Sequence, residues 1–152
     1  DVVRYAFVSF PDVARWGALV PVGGEFAGRN VLTADDLKRV PLAIHHREGL
    51  QREFSLWAGS DTDEFDVSAT YNVLNGSPTP FVTSGLGCVV TTGDHLDGDE
   101  SADVRFLALD PPLETRCALV YRRHAALSKS AAIFLEQVNR SLQSMHEGNG
   151  KE

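Results

Sequence analysis

The 152-residue sequence is poor in the features that mark a special compartment or a familiar chemistry. It holds only two cysteines, Cys88 and Cys117, both inside apolar runs. They read as small buried hydrophobes in a reducing cytosol rather than as a disulfide framework, with a pairing between them left open. No apolar run approaches the roughly 20 residues of a membrane span, and no basic start followed by a hydrophobic block marks a secretory signal. A cytoplasmic location with no membrane partner is therefore expected. Basic charge is also scarce: 14 Lys and Arg stand against 21 Asp and Glu, a formal net charge of -7. Direct grip on nucleic acid is made by clustered Lys and Arg, so none is expected from this stretch. There is no Gly-x-Ser-x-Gly elbow, no phosphate-binding glycine loop and no His-Glu-x-x-His helix, so the sequence nominates no catalytic residue, no metal and no cofactor. Internal repeats, heptads and low-complexity linkers are absent too.

What is present is core. With 43 % hydrophobic residues, a chain of this length can bury about two-thirds of its unfolded surface. Arg4 to Phe10 is strand-like and Pro11-Asp12 is expected to turn it; Trp16 to Val20 follows as a second strand, stopped by Pro21 and Gly23-Gly24. Thr33 with Asp35, Asp36 and Leu37 reads as a capped helix start whose acidic residues suit the backbone dipole, ending before Pro41. Leu42 to Ile44 reads as a buried strand and His45-His46-Arg47 as the loop at its end. Leu50, Phe54 and Trp57 share one face of a helix stopped by Gly59. Phe65 to Thr70 is strand-like. Ser77 then reads as an N-cap, Pro78 as the first helical residue, Pro80 as the third, Gly85 as the helix stop and Cys88-Val89-Val90 as a short buried strand. Val104 to Leu109 and Thr115 to Tyr121 are further strands around a Pro111-Pro112 break, the last read as continuous apolar core. A closing helix, Ser128 to Met145, carries Ala131, Phe134, Leu135, Val138, Leu142 and Met145 on one stripe and is expected to pack on that strand. Trp16, Trp57, Phe54 and Phe134 read as packing residues.

Strands alternating with helices call for an α/β fold with a mainly parallel sheet. The pattern is lopsided. Residues 15–96 hold enough elements for one complete lobe, residues 1–14 plus 97–146 offer only part of another, and residues 147–152 read as a disordered tail. The chain opens on Asp1-Val2-Val3 with no initiator Met, so it is expected to be an excised piece of something longer.

In order and spacing these motifs resemble the C-terminal half of the effector-binding domain of LysR-type transcriptional regulators. Arg15-Trp16-Gly17-Ala18-Leu19-Val20-Pro21 resembles the strand entering the family's second subdomain, and Glu25-Phe26-Ala27-Gly28-Arg29 the loop before its first helix there. Thr33-Ala34-Asp35-Asp36-Leu37 with Pro41-Leu42-Ala43-Ile44 resembles its helix followed by a Pro-Leu-Ile strand. Val82 to Val90 resembles its Val-x-x-Gly-x-Gly strand entry, and Ser128 to Val138 its closing helix. The resemblance implies a type 2 periplasmic-binding-protein-like fold, with the second α/β subdomain complete and the first truncated. It also implies a small-molecule inducer in the cleft between them, self-association into a homo-oligomer, and DNA binding through a helix-turn-helix region with no counterpart here.

On that reading His45, His46 and Arg47 point toward the cleft and suit an anionic effector, Arg47 because its planar fork can grip a carboxylate. The same three residues also read as a solvated polar loop. A histidine pair can bind metal, but strand neighbours point to opposite faces and no third ligand follows at a usable interval. Thr70, Tyr71, Asn72 and Asn75 lie between a strand end and a helix start, where hydroxyl and amide groups can orient a ligand; Asn72 and Asn75 serve equally as turn caps. Asp94, Asp97, Asp99 and Glu100 lack the full ligand series of a calcium loop and read as solvated. The expected function is thus an effector-binding regulatory domain. A solute-binding receptor of a transport system shares the lobed fold, and a small α/β enzyme would need His45, His46 and Asp66 to converge.

Overall fold

A computed structural model describes residues 2–72, 78–93 and 103–148. The element order is β1 (Tyr5–Pro21), β2 (Val31–Leu32), α1 (Ala34–Leu37), β3 (Leu42–His45), α2 (Glu48–Ala58), β4 (Val67–Tyr71), α3 (Thr79–Thr83), β5 (Cys88–Thr92), β6 (Val104–Leu109), β7 (Glu114–Arg122) and α4 (Lys129–Gly148). The chain divides into two compact units, residues 14–115 and residues 1–13 with 116–152, so the boundaries fall within β1 and within β7.

The larger unit is built on a sheet whose strands run in the order β2-β6-β1-β5-β3-β4, with β7 pairing β1. β2 is parallel to β6, and β3 is parallel to both β4 and β5. β1 alone runs antiparallel to its neighbours β5 and β6. Because a sheet covered on both faces sends alternate residues into two cores, its strands read as unbroken apolar runs. Leu42, Ile44, Cys88, Val90, Ala18 and Val20 enter one core with Phe54 of α2 and Leu37 of α1. Ala43, Val89 and Leu19 enter the other with Val82 of α3. These runs were legible in the sequence.

Local signals held where the decisive partner lies nearby. The Thr33 hydroxyl accepts from the Asp36 N–H, while the Asp36 carboxylate accepts from the Thr33 N–H at 3.0 Å and from the Thr33 hydroxyl at 2.9 Å, closing a capping box. Arg29 pairs with the same carboxylate at 2.9 Å. Gly59 (φ 66°) ends α2 and Gly85 (φ 71°) follows α3, both as expected. Phe54 is buried, with Leu50 and Trp57 packed beside it. α2 is held from outside as well: Trp57 Nε1 donates to the Pro111 carbonyl at 2.6 Å, and Trp16 Nε1 donates to Thr115 Oγ1, whose hydroxyl donates to Glu53.

Several expectations are corrected. Pro11-Asp12 does not turn the chain; a single 17-residue strand runs through it, since proline fits extended backbone and forfeits only its own N–H. Val104–Leu109, assigned from sequence to the partial lobe, lies inside the larger unit between β2 and β1. α3 starts at Thr79, so Pro80 is its second residue, not its third. Ser77 lies outside the described residues. The closing helix runs to Gly148, two residues into the segment read as tail.

The smaller unit departs most from expectation. β7 and α4 are amphipathic, yet none of this unit's described residues is buried. β7 is mostly exposed rather than core, Cys117 is exposed, and Val120, Phe134 and Met145 are each half-exposed or more. α4 lines an apolar groove with Phe10 and Pro11 of β1, through Phe134, Val138, Leu142 and Met145. Cys88, by contrast, is buried, and burial together with Glu25 pushes its thiol up to about 11.

Two outcomes follow for stability. Burial alone would raise the Asp36 pKa, but the Thr33 hydrogen bonds and the Arg29 charge outweigh it and hold the carboxyl below its ordinary range. A carboxylate depressed in the folded state contributes stability above its unfolded pKa of about 3.9, and that stability is lost as pH falls through the lower folded value. Asp36→Asn should therefore lower the urea midpoint at pH 7, by about 1–2 kcal/mol for a lost cap, and should flatten the fall in stability below about pH 4. A mutant with the wild-type acid slope would show that the cap is not the linked group. Gly87 has φ 138°, and a Cβ there would overlap the Pro41 carbonyl, which already accepts from the Cys88 N–H at 2.8 Å. Gly87→Ala should cost about 2 kcal/mol or more through backbone strain, measured by the same denaturation midpoint.

Candidate functional site

The sequence candidates gather where β3 and β4 end side by side. His45 is the last residue of β3 and pairs in register with Tyr71, the last of β4. Side chains alternate along a strand, so His45 shares a face with Ala43, and Tyr71 with Ala69. Ala43, Ala69 and Tyr71 all belong to the core beneath α3. The imidazole accordingly meets the phenol ring edge-on, with centroids 5.3 Å apart, and lies 6.2 Å from the His46 ring. Thr70 is paired with Ile44, whose side chain enters the opposite core, so its exposed hydroxyl is on the other face of the sheet from Tyr71. The structure thus brings together His45, His46, Arg47 and Tyr71, with Asn72 next in the chain, and sets Thr70 apart. Asn75 and the acidic segment from Asp94 to Glu100 lie outside the described residues.

Main-chain geometry fixes this corner. The His46 N–H donates to the Tyr71 carbonyl at 2.8 Å, extending the β3–β4 ladder by one step. Arg47 is the N-cap of α2, makes no side-chain cap bond, and gives its own N–H to His45 Nδ1 at 3.0 Å. Gln51, one turn into α2, donates from Nε2 to the His45 carbonyl at 3.0 Å. The Tyr71 hydroxyl donates to the Val90 carbonyl at 2.7 Å, which anchors the ring over β5. Gln51 and the Val90 carbonyl were missed from sequence; only the i to i+6 interval from a strand end to the second turn of a helix hinted at the first.

The charges that act on His45 are positive. The Arg47 guanidinium has no ion-pair partner among the described residues, and His46 is exposed beside it. The His45 pKa lies below its ordinary value, first because burial disfavours the charged ring and then because Arg47 and His46 repel a second proton. Burial pushes the Tyr71 phenol up, so it stays neutral. Such a corner offers hydrogen-bond donors, a cation and an aromatic wall. It suits an anionic or oxygen-rich small molecule better than a cation. Among the described residues no group of three His, Cys, Asp or Glu converges to hold a metal, and no helix is long and apolar enough to cross a membrane.

No protein-family model and no curated protein matches the sequence. Solved structures do. HinK, a LysR family transcriptional regulator from Pseudomonas aeruginosa, superposes with a TM-score of 0.68 at 18% identity over 92% of this chain and 49% of its own. The regulatory domain of CcmR from Synechocystis PCC6803, solved with 2-PG, gives 0.66 at 13% identity over 93% of this chain and 69% of that one. The effector binding domain of QuiR, solved with shikimate, gives 0.69 at 11% identity over 93% and 72%. The chain therefore spans about half the length of the whole regulator HinK. The resemblance carried by its ordered motifs holds at the level of architecture: this chain has the fold of LysR-family effector-binding domains, the type 2 periplasmic-binding-protein-like fold.

Proposed function

We propose that this chain is the ligand-sensing part of a LysR-type transcriptional regulator, and that its effector is a small anionic molecule bound where β3 and β4 end. The observation that carries the reading is the corner where the His45 and Tyr71 rings meet and the Arg47 N–H binds His45 Nδ1, the Arg47 guanidinium having no ion-pair partner among the described residues. Ligands of α/β sheets collect at the carboxyl ends of parallel strands, and β3 and β4 are parallel. His46 and Asn72 would add polar contacts. That related folds were solved with 2-PG and with shikimate supports a small oxygen-rich ligand.

On this reading the larger unit is a complete second subdomain and the smaller unit is the remainder of a first subdomain whose other half is absent. The chain would sense and not catalyse, would reside in the cytoplasm, would self-associate, and would reach DNA only through a helix-turn-helix region elsewhere in the protein. A domain of this kind acts by binding its effector with different affinity in two arrangements.

The test is a thermal-shift screen of metabolite anions against the chain and its Arg47→Ala variant. An effector at about 100 times its Kd should stabilise the wild type by about 2.7 kcal/mol, and Arg47→Ala should remove most of the shift without lowering the melting temperature of the free protein. A ligand-induced shift that survives Arg47→Ala and Tyr71→Ala undiminished would place the site elsewhere and overturn the reading.

A further inference from the structure

In the corner at the ends of β3 and β4, most hydrogen-bonding groups are already satisfied from within. The His45 carbonyl takes the Gln51 amide, the Tyr71 carbonyl takes the His46 N–H, and the Tyr71 hydroxyl is given to the Val90 carbonyl. The Arg47 guanidinium and one nitrogen of the His45 imidazole are not. The imidazole Nδ1 accepts the Arg47 backbone N–H at 3.0 Å. A ring nitrogen that accepts from an N–H carries no proton of its own, so the proton of the neutral ring sits on Nε2. Nε2 has no hydrogen-bond partner among the described residues. The ring packs against Tyr71, and the N–H that its Nδ1 accepts belongs to the N-cap of α2.

We propose that His45 is the directed donor that positions the ligand in this site, presenting the Nε2–H to one oxygen of a carboxylate effector while remaining neutral. This deepens the binding reading above and rests on it. Protonating Nδ1 would set two N–H groups against each other, so the fold disfavours the charged ring. The groups around it act in the same direction. Arg47 and His46 on the loop oppose a further positive charge, Tyr71 on β4 is a neutral phenol, and Gln51 on α2 is a neutral amide; Glu48 in the first turn of α2 is the one acidic neighbour in sequence. Recognition then divides between two residues: Arg47 supplies charge and His45 supplies a directed donor. A carboxylate satisfies both. The corresponding carboxamide can still accept from Nε2–H through its carbonyl but forfeits the charge, so Arg47 tells the two forms apart while His45 fixes where the accepting oxygen sits.

The experiment is nitrogen-detected imidazole NMR of the full 152-residue chain, followed by titration with pairs of small acids and their amides: acetate and acetamide, succinate and succinamide, benzoate and benzamide. In the free protein His45 should show a protonated Nε2 and an unprotonated Nδ1, from about pH 6.5 to about pH 8.5. At least one carboxylate should shift Nε2, bind about tenfold more tightly than its amide, and hold the same affinity across that range. His45→Gln, which keeps an N–H near the Nε2 position, should retain most of the affinity. His45→Phe, which keeps the ring against Tyr71 but lacks the donor, should lose about tenfold. A protonated Nδ1 in the free protein overturns the proposal. So does carboxylate binding that shifts Arg47, Tyr71 and Asn72 yet is indifferent to His45→Phe, an outcome that leaves the binding site itself standing. If no carboxylate of the panel shifts any residue from 45 to 47 or from 71 to 72, the binding reading fails and this proposal falls with it.

Discussion

Everything in the larger unit is registered on the second half of β1. Trp16 to Pro21 lies between β5 and β6, and both antiparallel pairings along the sheet path converge on these six residues. Ala18, Leu19 and Val20 are fully buried, so the segment has no solvent-facing side on which to slip; a one-residue shift would exchange the two cores. Gly17 adds a steric lock. A Cβ there would overlap the Phe106 ring and the Leu107 carbonyl, so β6 approaches β1 only where a hydrogen replaces a side chain. From β1 the register passes to β5, from β5 to β3 and from β3 to β4, and the last step sets His45 beside Tyr71. The candidate site is the far end of that relay.

How much of this was legible in the sequence depends on how far away the deciding partner lies. The Thr33 capping box, the Gly59 helix stop and the apolar runs at Leu42 to Ile44 and Cys88 to Val90 are decided within a few residues, and all were readable. Pro11 was misread because a proline in extended backbone and a proline in a turn look alike until the pairing is known. The place of β6 was misread for the same reason: its partners, β1 and β2, lie more than 70 residues away in the chain. Burial of β7 and α4 was misjudged because an apolar stripe states what a surface needs, not whether anything covers it.

The site was legible in composition but not in geometry. His45, His46, Arg47 and Tyr71 were all named, yet Thr70 was grouped with Tyr71 although period-two alternation puts their side chains on opposite faces once β4 is placed. The bond from the Arg47 N–H to His45 Nδ1 could not be foreseen, since it requires the chain to fold back over two residues as a strand hands over to a helix. That bond changes what the histidine is. Sequence alone offers a titratable ring beside an arginine; the structure adds the Arg47 N–H on Nδ1 and the Tyr71 ring against it.

In a site of the kind proposed, a fixed donor selects a ligand more sharply than a mobile charge. A protonated imidazole next to Arg47 would attract any anion, and its strength would vary with pH and salt. A neutral ring, oriented by a backbone N–H on one nitrogen and by an aromatic edge on one side, discriminates by direction. The same bond ties the ring to the start of α2, whose other contacts, from Phe54 in the core, from Trp57 to Pro111 and from Glu53 to Thr115, leave that helix little freedom. Displacing the imidazole therefore means straining the first turn of α2 or losing the hydrogen bond, and either has a definite cost. A ligand that bound the two states of this ring differently would shift the balance between them by that difference in affinity.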